Sequence, residues 1–149
     1  VVMINTALVV TNAFGKSRVI RAIDTQGGAV MERMLREVRL ADSFDVVGST
    51  FGVHPGKLKL NTIVGSGDTT PTTRDFAFQA SGGEVTINEG GAGAISLTAG
   101  ITATQLVFHS IPAATTSRAI RIEMTVEAGT GRSYVSQDFY GTAVMRGSY

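Results

Sequence analysis

Lys16–Asp42, KSRVIRAIDTQGGAVMERMLREVRLAD, decides the fold. Its apolar residues fall at Val19, Ile20, Ile23, Val30, Met31, Met34, Leu35, Val38 and Ala41, in recurring steps of three and four. That spacing lays a single apolar stripe along an α-helix. Lys16, Arg18, Arg21, Asp24, Glu32, Arg33, Arg36, Glu37 and Arg39 are assigned to the opposite side. Glu32 and Arg36 stand four apart with the acid first, a pairing worth roughly 0.2–0.5 kcal/mol. Gly27-Gly28 interrupts the run, each glycine costing about 1 kcal/mol against alanine inside a helix. Two readings stay open at that step: a helix–turn–helix break, or one helix with a soft spot held straight by packing.

Upstream, Val1–Val10 (VVMINTALVV) carries no charge, and its polar residues are Asn5 and Thr6. Four valines and an isoleucine suit a buried strand. The absence of a turn signal before the helical pattern favours instead the distal end of a longer apolar helix. Ten helical residues span about 15 Å, half a hydrocarbon core, and cannot cross a bilayer alone. Val1 is not an initiator methionine, so the first half of that helix is expected upstream. Residues 1–42 then form an N-terminal helix, apolar over 1–15 and amphipathic over 16–42, and 43–149 a β-rich head, in a single structural domain. Unbroken, the rod would be about 60 Å long, more than such a head can cover.

Beyond Asp42 the period falls from 3.6 to 2. Alternating stretches occur at Leu58–Val64, Phe76–Phe78, Val85–Asn88, Ile95–Leu97, Gln105–Ile111, Arg118–Val126 and Tyr134–Met145. The clearest places Ile120, Ile122, Met124 and Val126 on one face. Gly-rich breaks every eight to twelve residues predict an antiparallel meander. The amphipathic stripe is the helix available to cover it, so the expected fold is α+β, a long N-terminal helix packed on that sheet.

Composition bounds function loosely. Lys+Arg 13 against Asp+Glu 12 gives no global field for polyanions. With 18 Gly and 17% charged residues, the chain suits an extracellular or assembled β-rich protein better than a cytosolic enzyme. The lack of cysteine excludes disulfides, thiol nucleophiles and Cys-ligated zinc.

The plan of a long helix closing onto a meander resembles type IV pilins and type II secretion pseudopilins. Met31-Glu32-Arg33-Met34-Leu35-Arg36-Glu37-Val38-Arg39-Leu40-Ala41 is similar to the run that closes the helix in many minor, pilin-like proteins. Leu97-Thr98 leading to Gln105–Phe108, then Arg121–Val126 and Thr142–Arg146, resemble their sheet segments and last two strands. The Gly-Phe-Thr-Leu-Ile-Glu processing segment is missing, and residue 5 is Asn rather than the family's assembly glutamate. That glutamate is expected upstream of Val1.

The resemblance implies a structural filament subunit rather than an enzyme. It implies partners that are copies of itself or other pilin-like subunits, and an inner-membrane anchor through the upstream helix. The implied location is the bacterial inner membrane before assembly and a periplasmic or extracellular filament after it. Val1, Val2, Ile4, Leu8, Val9, Phe14, Gly27 and Gly28 are the expected assembly residues, with Lys16, Arg18, Arg21 and Asp24 setting charge register. The alternative is a soluble surface-binding module, adhesin or DNA-binding in type, on a helical stalk.

Chemistry-bearing motifs are thin. His54 precedes Pro55-Gly56 and reads as a turn residue; His109 reads as a sheet-edge residue or a cap before Pro112. Val64-Gly65-Ser66-Gly67-Asp68 lacks the nucleophile-elbow spacing, and Gly90-Gly91-Ala92-Gly93 lacks a phosphate-loop lysine. No cofactor is expected, although Asp68, Thr69, Thr70 and Asp75 offer oxygens to calcium without EF-hand spacing. Lys16, Arg18, Arg21, Arg33, Arg36 and Arg39 form a basic helix face that would suit nucleic acid. A solvated or subunit-packed face is the plainer reading. Tyr134, Phe139, Tyr140 and Tyr149 could stack on bases but alternate like ordinary sheet aromatics.

Overall fold

The computed structural model describes residues 2–63, 72–79, 82–112 and 118–145, the first eleven of these as helical backbone. A single helix, α1 (Val2–Leu40), opens the chain. Val2–Val10 is therefore helical rather than a buried strand, and the helix runs unbroken through Gly27-Gly28. At its end the Ala41 amide donates to the Glu37 carbonyl at 3.0 Å, and the Asp42 amide donates to Asn61 at 3.0 Å. The chain thus passes from the last helical turn straight into a sheet.

Two antiparallel sheets follow, where the pattern had suggested one meander. The first joins β1 (Ser43–Phe44), β2 (Lys57–Thr62), β3 (Thr72–Gln79), β4 (Glu84–Glu89) and β5 (Ala94–Ser96) in chain order. The second joins β6 (Thr102–Pro112), β7 (Arg118–Ala128) and β8 (Val135–Val144). Period-2 alternation is the same within either sheet, so it carries no mark of where one ends. The break falls after β5, where Leu97 and Thr98 still hydrogen-bond Val85 before the chain turns into β6.

Both sheets and the helix share a core. Ile23, Val30, Met34 and Val38 of α1 are buried together with Leu58, Leu60, Phe76 and Ile87 of the first sheet. Leu106, Phe108, Ile120, Ile122, Met124 and Val126 complete it from the second. The stripe expected on α1 is largely the one buried, with an exception at each sign. Ile20 is 37% exposed, and Glu37 is buried at 8%. Arg36 extends toward Glu37 at 3.9 Å rather than toward Glu32.

The outer edge of β6 is capped by loops. Gly52 and Gly56 donate their amides to the Phe108 and Leu106 carbonyls at 2.8 and 2.9 Å. The Leu106 amide donates to His54 Nδ1 at 3.2 Å, and the Ala103 amide to the Gly83 carbonyl at 2.6 Å. His54 thus turns the chain, as expected, and also ties the two sheets together. These bonds occupy backbone groups that an edge strand otherwise leaves for another chain.

Asp45 closes the turn after β1. Its Oδ1 accepts the Val47 and Gly48 amides, each at 3.0 Å, and Lys59 Nζ lies 3.4 Å from Oδ2. The Gly48 amide, with smaller help from Lys59 and Val47, holds the carboxyl below its ordinary 3.8 against an opposing effect of burial. Folding stability from a depressed carboxyl is present above the unfolded value and lost as pH falls through the folded one. The urea midpoint of the wild type should exceed that of Asp45→Asn near neutrality, and the gap should close on acidification below that window. An unchanged gap at acid pH would show that the carboxylate charge contributes nothing.

Candidate functional site

The helix lies along β8, both running in the same direction. A Cβ on Gly15 would stand 3.3 Å from Ser133 Oγ, and Gln137 Nε2 donates to Asp24 Oδ1 at 2.9 Å. Further on, Gly27 faces the Phe139 ring and Leu35 faces Gly141. Twenty helical residues and eight strand residues cover similar lengths, about 30 and 26 Å, which keeps the two elements in step. A Cβ on Gly27 would be 2.6 Å from two carbons of the Phe139 ring, and one on Gly141 would be 2.7 Å from Leu35. These glycines let the helix sit close to the strand. Gly28 has nothing within 4 Å of a would-be Cβ.

The residues expected to act in assembly divide accordingly. Val1 lies outside the described residues, while Val2, Ile4, Leu8 and Val9 lie on helical backbone. On the N-terminal side of Gly15 the helix continues for thirteen residues, about 20 Å. Phe14, in that segment, is 70% exposed. Gly27 is taken up by packing within the chain. Of the charge-register residues, Lys16, Arg18 and Arg21 are exposed, whereas Asp24 accepts from Gln137.

Along its outer side α1 presents Phe14, Arg18, Arg21, Thr25, Ala29, Glu32, Arg36 and Arg39, all exposed. Steps of three and four place them on one line, with four arginines against one acid. Near its C-terminal end a groove of about 340 Å³ is lined by Ala29, Glu32, Arg33, Arg36 and Arg39. Behind it, Arg33 Nη2 bonds Glu89 Oε1 at 2.8 Å, and Arg74 Nε comes within 3.0 Å of Glu37 Oε2 without hydrogen-bond alignment. That network fastens α1 to β3 and β4 and explains how Glu37 is tolerated inside. Local sequence gave no sign of it, since Glu37 and Arg74 meet only through the tertiary fold.

The face of the second sheet turned away from α1 is polar and partly acidic. Thr125 Oγ1 donates to Asp138 Oδ1 at 2.7 Å, and Ser136 Oγ lies 3.5 Å from Glu127 Oε1. Tyr134 also bonds Glu127, and that hydrogen bond, with some burial, raises the phenol above its ordinary value. His109, on the β6 edge strand as expected, has Nε2 3.3 Å from Glu123 Oε1, an oxygen that Arg121 also contacts. Tyr140 is 67% exposed on this face, Phe139 packs against α1, and Tyr149 lies outside the described residues.

Asp68, Thr69 and Thr70, three of the four oxygen donors proposed for calcium, lie outside the described residues. Asp75 sits within β3, across from Lys59 and Asn88. Among the described residues, no group of three His, Cys, Asp or Glu side chains could hold a metal ion. Among them also, no helix is long and apolar enough to cross a membrane. No protein-family model matches the chain, nor does any curated protein or solved structure.

Proposed function

We propose that this chain is a structural subunit that assembles through its N-terminal helix into a filament of the type IV pilus or type II secretion pseudopilus kind. The reading is supported above all by α1, a continuous helix whose first thirteen residues run on past the hairpin that meets Gly15. Neighbouring copies, laid side by side, would cover Phe14, which is 70% exposed. The antiparallel sheets would then form the outer head, and further apolar residues before Val1 would anchor the subunit before assembly.

The absence of cysteine makes the test direct, because an introduced thiol has no native competitor. Val9→Cys or Phe14→Cys, expressed with the full encoded N-terminus in the native host, should give disulfide-linked ladders in sheared surface fractions. Leu8→Asp should abolish both ladders and filaments while leaving the melting temperature of the purified chain unchanged. Monomer throughout, with no filaments by electron microscopy, would defeat the reading.

A further inference from the structure

The polar face of the β7–β8 hairpin and the arginine groove on α1 are complementary surfaces of the same chain. Glu127 and Asp138 sit on one face, held by the hydroxyls of Tyr134, Ser136 and Thr125. Neither carboxylate has a basic partner among the described residues. Hydroxyl donors orient the two acids without supplying a positive charge. On α1, the side chain of Arg36 is 63% exposed, and its nearest acid, Glu37, is 3.9 Å away and lies closer to Arg74. Arg39 is exposed on the same wall of the groove.

We infer that Glu127 and Asp138 of one copy dock on Arg36 and Arg39 in the groove of the next copy. The inference rests on the filament reading and names the contact that sets the stagger between heads. Three observations carry it. First, the spacings agree: the acids are diagonal neighbours across β7 and β8, about 7 Å apart, and residues three apart on a helix lie about 5–6 Å apart. Second, this surface carries three arginines, Arg33, Arg36 and Arg39, against Glu32. Third, the surfaces differ in position. The acids lie level with Asp24, and the arginines lie about thirteen residues further along the helix, about 20 Å. A contact between unlike surfaces displaced along an axis is heterologous, and it builds an open filament wherever its rotation does not close.

Charge swapping tests this in the same filament preparation. Glu127→Lys with Asp138→Lys should cut the pelletable, cross-linked fraction at least tenfold, and Arg36→Glu with Arg39→Glu should do the same. All four changes in one chain should restore assembly to within twofold of wild type. Should either pair fold poorly, a mixture of the single variants Asp138→Cys and Arg39→Cys should still form the mixed disulfide. Wild-type assembly by both half-swapped proteins would overturn the contact while leaving the filament standing. Absence of oligomers from the wild type itself would overturn both. Loss of DNA retention on swapping the arginines, with oligomers unchanged, would overturn the contact in favour of a nucleic-acid surface.

Discussion

Gly27→Leu should melt well below the wild type, by about 6–12 °C, whereas Gly28→Ala, at the adjacent position, should melt higher. The first substitution puts a Cβ 2.6 Å from the Phe139 ring and then three more carbons into a packed helix–strand contact. Overpacking of this kind costs about 3 kcal/mol at the upper end of its usual range, and for a chain of this length 1 kcal/mol moves Tm by about 2–4 °C. The second substitution meets nothing within 4 Å and keeps the gain of about 1 kcal/mol that alanine has over glycine in a helix. Shrinking the partner ring should recover part of the first loss, so that Gly27→Leu and Phe139→Ala combine non-additively. Thermal unfolding followed by circular dichroism reads the wild type, the three single variants and the double. Equal responses at Gly27 and Gly28 would show that the helix is not seated on β8 as described.

Phe108→Ala should be the most damaging single truncation, at about 3–5 kcal/mol. The ring is fully buried, stands opposite Ile122 in the β6–β7 ladder and packs beside Gly56. Its own carbonyl receives the Gly52 amide that helps cap the β6 edge. The cavity would therefore open where the second sheet meets the loop leading into β2. Native domains stand only about 5–15 kcal/mol above their unfolded state, so about a fifth or more of the margin would go. Tyr140→Ala, on the exposed side of the same sheet, should change stability by less than about 0.5 kcal/mol. A Phe108→Ala protein as stable as Tyr140→Ala would mean that the two sheets do not share a core.

The helix and the strands could be read from the chain because each has a period set by local geometry. Met31, Met34 and Val38 had to share a side, and so did Ile120, Ile122, Met124 and Val126. What escaped the reading was non-local. Nothing near Glu37 announces Arg74, so a charge placed on the outer side of α1 is found inside. Gly27-Gly28 looked like one feature, either a break between two helices or a soft spot in one rod. The fold separates them into a notch for Phe139 and an unoccupied position. The acids of the β7–β8 hairpin, Glu127 and Asp138, had no local signal either. Their meaning lies in a shared face and in partners that are hydroxyls rather than cations.

The pairing of α1 with β8 also has a consequence for synthesis. The helix emerges from the ribosome well before the strand that covers much of its apolar side. At about 5–20 residues per second, Ile23, Val30 and Met34 wait roughly 5–20 s for residues 135–145. A nascent chain stalled or cut before that strand would present a sticky amphipathic rod to whatever is nearest. Holdase capture or early contact with a lipid surface would shield it, and the order of the elements along the chain creates that demand.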